Sequence, residues 1–249
     1  MAIQKTEAIV LGATKLRETS LITTFLTRDF GKIKAISKGV RQEGSFLTPL
    51  YEPFSHVQIV FYEKTRSDIH FLSESAMLCF FPGIRADFEK ISWASFLLEL
   101  TETVLPLEEK NEALFELLLL VLHCMEGASV SPFVSIFEVK LLWGSGLFPS
   151  LGSCLRCSRT DFETAYLNVE DGGIFCEHCR DSHRIFYPVP KGLIRTIHFF
   201  AENDFSKCLT LKLSPENEAE LHRLTYQWIR GRFDRDLSTM RFLREVSLF

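Results

Sequence analysis

Two Cys-x-x-Cys pairs, Cys154/Cys157 and Cys176/Cys179, stand either side of an 18-residue spacer. They constrain this chain more than any other feature. One such turn places two sulfurs on a single metal, and a second completes the tetrahedral thiolate set that zinc prefers at about 2.3 Å. The spacer falls in the range of paired zinc knuckles. Gly172-Gly173 permits the tight turn that returns Cys176 towards Cys154. The expectation is a structural Zn2+ held by Cys154, Cys157, Cys176 and Cys179. A redox dithiol, which needs one pair, and an iron–sulfur cluster, which four cysteines could also hold, are the competing readings. Catalytic zinc fits less well, because four thiolates leave no position for water. No His-x-Glu occurs in the chain and neither pair follows a proline, so the deaminase pattern is missing too. His178 and His183 lie close enough to replace a ligand but read as surface residues, since the cysteine set is already complete. The other three cysteines, Cys79, Cys124 and Cys208, sit among apolar neighbours and read as core packing.

Four thiols kept free for metal suit a reducing compartment. The N-terminus lacks the apolar stretch and cleavage site of a secretory signal. The longest wholly apolar run, Leu117–Leu122, is far short of the roughly 20 residues that span a bilayer. A cytoplasmic protein without a membrane partner is expected. Its 249 residues, 46% hydrophobic and 24% charged, allow more than one folded unit.

The net charge of −4 argues by itself against nucleic acid, but the distribution does not. Residues 1–80 hold ten Lys/Arg against eight Asp/Glu, or +2, and the remainder holds eighteen against twenty-four, or −6. Between Arg28 and Arg41 five basic residues (Arg28, Lys32, Lys34, Lys38, Arg41) face one acid, Asp29, a local +4 that can meet phosphates.

The fold expected is α+β. Thr6–Leu11, Leu21–Thr27, Lys32–Ser37, Phe54–Phe61 and Ile69–Ser73 are rich in β-branched and aromatic residues and read as strands, enough for a small closed barrel over residues 1–80. In Lys32-Ile-Lys-Ala-Ile-Ser-Lys38 the lysines share parity and point from one face, while Ile33 and Ala35 point from the other. Residues 81–150 read as the first part of a helical domain, 151–185 as the four-cysteine module and 186–249 as the C-terminal part of the same bundle. Glu89–Leu105 and Asn111–Glu126 are apolar on most sides. Ser131-Pro132 reads as an N-cap and first-turn proline for a third helix that ends at Gly144, and Ser214-Pro215 as the start of a later one.

Enzyme signatures are missing. Gly39 and Gly44-Ser45 have the glycine spacing of a phosphate loop without its lysine, and Glu43 would repel phosphate. No Gly-x-Ser-x-Gly elbow or His-Glu-x-x-His helix occurs. A binding protein is expected.

Several segments together resemble the bacterial recombination mediator family RecO. Glu7–Leu11, the Thr27-Arg-Asp-Phe-Gly31-Lys32 turn and Lys38-Gly39-Val-Arg41 are similar to the family's N-terminal barrel. Phe137-Glu138, Gly146-Leu-Phe-Pro149 and the cysteine pairs with Gly172-Gly173 are similar to its central and zinc segments, and Met240-Arg-Phe-Leu243 to its closing helix. The resemblance implies a five-stranded oligonucleotide-binding (OB) barrel followed by a helical domain with an inserted zinc module. It also implies a nucleoid-associated function without catalysis. Relatives bind single- and double-stranded DNA, anneal complementary strands, engage the C-terminal tail of the single-strand-binding protein SSB, and work with RecR to help load RecA. Lys32, Lys34, Lys38, Gly39 and Arg41 are then the expected DNA-binding residues. Arg85, Lys90 and Lys140 are the cations near the predicted bundle, and none is assigned to the SSB tail. The alternative is a zinc-stabilised adaptor whose barrel binds protein or RNA.

Overall fold

Alternation of apolar and polar residues builds the N-terminal strands. The computed structural model describes residues 2–42, 47–64, 67–128, 130–246 and 248. Strands β1 (Ile3–Leu16), β2 (Ser20–Thr27), β3 (Gly31–Ser37), β4 (His56–Tyr62) and β5 (Ile69–Cys79) close into a barrel in the order β1-β2-β3-β5-β4. All pairings are antiparallel except β3 with β5. This is the OB fold. Ala8, Val10, Phe25, Ile33, Ala35, Val57, Ile59 and Phe61 point inward and form its core. β1 is longer than the apolar run Thr6–Leu11 suggests, because its first half pairs with β4 and its second with β2, across an irregularity between Val10 and Gly12. The extra residues are mostly exposed and held by backbone pairing, so hydrophobic pattern does not mark them.

Helices α1 (Pro82–Arg85), α2 (Phe88–Val104) and α3 (Glu112–Gly127) follow. Asp87 caps α2 by accepting from the N–H groups of Glu89 and Lys90, and the Glu126 carboxylate accepts from those of Gly83 and Ile84 at the start of α1. These helices pack with the barrel. Arg85 donates to Glu52, to the Pro53 carbonyl and to Ser55, and Phe115 lies 6.1 Å from the His56 ring. Packing divides the described residues after Val130, beyond α3, not at the end of the barrel.

The second unit begins at Ser131 and holds α4 (Phe133–Gly144), β6 (Thr164–Asn168), β7 (Gly173–Phe175), β8 (Tyr187–Pro190), α5 (Lys191–Glu202), α6 (Phe205–Cys208), α7 (Pro215–Phe233) and α8 (Ser238–Glu245). Ser214 caps α7 as expected, accepting from Asn217. Ser131 does not cap α4. The N-cap is Pro132, and the Ser131 hydroxyl reaches instead to Glu218 of α7. Between α4 and α7 the buried Glu138 carboxylate lies 2.7 Å from His222 Nδ1, and His222 Nε2 lies 3.3 Å from Ser135 Oγ. Among the described residues no helix is long and apolar enough to cross a membrane.

Candidate metal centre and nucleic-acid interface

The three short strands β6–β8 form a sheet in the order β7-β6-β8, and the two cysteine turns stand at its edge. In the first turn Ser158 N–H donates to the Cys154 carbonyl at 2.8 Å, with Ser158 in the left-handed region. In the second, Cys179 and Arg180 N–H groups donate to the Cys176 carbonyl. The Leu155 N–H donates to Ile174 O, which fastens the first turn beside the second. Gly172 (φ +80°) and Gly173 make the return. A Cβ on Gly173 would lie 2.8 Å from the Ser150 carbonyl, so only glycine fits this approach.

The four Sγ atoms of Cys154, Cys157, Cys176 and Cys179 all lie within 4.8 Å of one another. Tetrahedral zinc–thiolate geometry demands sulfur separations of ~3.8 Å. Cys157 and Cys176 stand at 3.7 Å. Burial opposes ionisation of Cys154, but the backbone N–H groups of Cys176, Cys157 and Arg156, with the Cys157 thiol, outweigh it and bring the group down to about 6. Cys179 is pushed up to about 12, first by sharing hydrogen bonds with Cys176 and Cys157 and then by burial and by Cys154. Four sulfurs crowding one point cannot all ionise without a cation between them, and a divalent metal supplies that cation. The set therefore fits structural zinc. His178 and His183 are exposed and outside the cluster, and no other group of metal-holding side chains occurs among the described residues. Cys208 is buried, while Cys79 and Cys124 are half-buried.

On the barrel, the charge run between residues 28 and 41 is sorted by its neighbours. Arg28 is spent inside the first unit, paired with Glu7 at 3.2 Å and with Glu116 at 2.5 Å. Lys32, expected on the exposed lysine face, is 8% exposed. The segment after α2 covers it: Leu107 bridges to Lys32, and Glu108 N–H donates to its carbonyl. Its ammonium donates to the Glu102 carbonyl in the last turn of α2, where a cation offsets the helix dipole. The same segment explains Gly31, whose φ is +66° and whose Cβ would lie 2.1 Å from the Glu109 carbonyl.

Lys34 is half-buried, and Lys38 and Arg41 are exposed. Gly39, at φ +71°, turns the chain between them. Among the described residues none of these three cations is in an ion pair. The residues Glu43, Gly44 and Ser45 lie outside the described residues. The fold adds cations that linear reading missed. Lys64, two residues past the end of β4, stands 3.6 Å over the Phe71 ring, with Lys38 at 5.3 Å from the same ring. Lys15 and Arg17 are exposed near β2, where Arg41 donates to the Arg17 carbonyl. No local pattern in the sequence links Lys64 to Lys38. Their meeting depends on the parallel pairing of β3 with β5. The remaining candidates are engaged within their own units: Arg85 as above, Lys90 with the Glu126 carbonyl and Lys140 with the Asn203 carbonyl.

Comparison with known proteins agrees along the chain. Residues 1–81 match the family model for the recombination protein O N terminus, and residues 85–241 match that for its C terminus. The chain is 30% identical to the DNA repair protein RecO of Caldicellulosiruptor bescii over 99% of its own length and 100% of that protein's. It is 31% identical to that of Alkaliphilus metalliredigens over 93% and 94%, and 30% identical to that of Bacillus subtilis over 98% and 95%. An OB barrel, a helical region and a four-cysteine cluster thus occur in a chain that matches both family models in order, and the chain belongs to the RecO family of DNA-recombination mediators, which are not enzymes.

Proposed function

We propose that the barrel binds single- and double-stranded DNA through Lys34, Lys38 and Arg41, with Gly39 shaping the turn between them and Lys64 beside them. The observation that carries this reading is the segregation of charge: Arg28 and Lys32, covered by α2, α3 and the segment between them, are engaged, whereas Lys34, Lys38 and Arg41 further along the chain are in no ion pair among the described residues. Such cations neutralise phosphates without reading bases, so binding is sequence-tolerant and falls with salt. Annealing follows, because one positive surface lowers the repulsion between two phosphate backbones while the bases stay free to pair. Lys32 takes no part, its ammonium being bound to Glu102.

In this reading zinc bound by the four cysteines holds the module over residues 151–185 and does no chemistry. The chain works in the bacterial cytoplasm at the nucleoid, acts on SSB-coated DNA through the SSB C-terminal tail, and helps load RecA together with RecR. The test is annealing of complementary strands coated with SSB. The wild-type chain is expected to restore annealing, and a chain with Lys34, Lys38, Arg41 and Lys64 changed to alanine is expected to fail while keeping its metal. Equal annealing by both would overturn the assignment of the surface, and none by either would overturn the function.

A further inference from the structure

The register of the barrel aligns one row of outward side chains across its strands: Ile3 opposite Tyr62, Tyr62 opposite Phe71, Phe71 opposite Ile36 and Ile36 opposite Ile22. The strand neighbours of the last four point inward: Phe61 before Tyr62, Leu72 after Phe71, Ala35 before Ile36 and Leu21 before Ile22 pack in the core. Ile3 is 64% and Tyr62 38% exposed, and Phe71 is half-buried. Lys64 and Lys38 both approach the Phe71 ring, and Lys34 follows next on the outer face of β3, opposite Ile69.

An aromatic pair among cations that have no carboxylate partner among the described residues has the composition of a path for unpaired nucleic acid. Phosphates take the ammonium groups and bases stack on the rings. Two ammonium groups about one ring repel each other until an anion joins them. When a phosphate draws Lys64 away from the ring, it bares that face to a base. A duplex offers the same phosphates but hides its base faces inside the stack, so it gains from the lysines alone.

We infer that Tyr62 and Phe71 are base-stacking residues that make this surface prefer single-stranded DNA to duplex. The inference rests on the barrel being the DNA-binding surface, and the test separates the two. Binding is measured for a thymidine oligonucleotide, a duplex of equal length, and a strand of equal length lacking its bases, with the wild-type chain, Tyr62→Ala/Phe71→Ala, and Phe71→Trp. The double variant is expected to lose roughly tenfold or more on the thymidine strand, to hold the duplex as before, and to bind the thymidine and base-free strands alike. Phe71→Trp keeps the preference. Unchanged thermal melting and metal content show that the double variant is folded. An unfolded double variant hands the decision to the base-free strand: the wild type holding it as tightly as the thymidine strand overturns the stacking. Equal losses on strand and duplex, or none, also overturn it. Failure of the wild type to bind any of the three DNAs overturns the underlying reading instead.

Discussion

The barrel and the cysteine module reach order by different routes. The barrel closes its hydrogen-bonded strands around a core running from Ala8 to Phe61, in which aromatic and branched side chains are almost fully hidden. The module contributes strands of five and three residues to a sheet that the four-residue β8 completes just beyond it, and the core at its cysteines consists of Cys154, Phe175 and Cys176 with Cys179 and Phe186 against them. A segment this small buries too little apolar surface to order itself, and in the proposed reading metal coordination supplies the difference. On that reading the barrel's proposed DNA-binding surface survives loss of the metal, whereas the module's shape does not.

Removing a ligand tests that contrast most severely. Cys176→Ser is expected to lose the bound zinc and cost several kcal/mol in the second unit, on the order of 3–5. Metal analysis of the purified chain, about one zinc in the wild type and none in the variant, checks it together with thermal melting. Retention of DNA binding by the variant sharpens the contrast, and an iron–sulfur spectrum in the wild type breaks it.

Next comes the buried Glu138. Glu138→Ala leaves His222 without its 2.7 Å partner between α4 and α7 and is expected to cost about 3 kcal/mol, read from urea unfolding. The metal should remain, because this pair lies outside the sulfur cluster.

A smaller effect is expected on the barrel. Lys34→Ala, Lys38→Ala and Arg41→Ala together are expected to weaken single-stranded DNA binding by about tenfold at low salt and to flatten the salt slope by up to about 0.7 for each phosphate that is no longer neutralised. A matched control replaces three exposed cations elsewhere, and equal losses in both would reduce the effect to bulk charge. Lys32→Met, two residues from Lys34, is expected instead to reduce stability by about 1 kcal/mol and leave the salt slope unchanged.

The smallest effect is a pH dependence. Burial lowers the pKa of His56 below its ordinary value, with Glu7 opposing and His123 and Arg28 assisting. The unfolded chain then binds a proton more readily than the folded one. The stability from neutral His56 is fully present above about pH 6.5 and is lost as pH falls from there through the lowered folded value. His56→Gln should flatten that part of the stability curve, as read from melting temperatures across pH 5 to 7.

Much of this was legible without coordinates. The cysteine spacing picks out the four residues whose sulfurs meet, because a knuckle is a local object, ordered by a few backbone hydrogen bonds within each pair. Strand alternation likewise marks Ile33 and Ala35 for the core, since parity alone decides which face each takes. The start of α7 at Ser214-Pro215 is equally local, whereas Ser131-Pro132, with similar chemistry, lost its capping role to a distant glutamate on α7.

Parity could not decide the fate of a charge. Lys32 and Lys34 share a strand and a face, yet one is covered by the chain after α2 and bound to its last turn, while the other has no ion-pair partner among the described residues. Lys64 and Phe71 joined Lys38 only when β5 paired with β3. Local spacing by itself determined the four-sulfur cluster and the inward faces, because those depend on backbone geometry over a few residues. Only the tertiary structure decided which cations stay exposed and which are covered, because desolvation and pairing of a charge depend on whatever the rest of the chain lays over it.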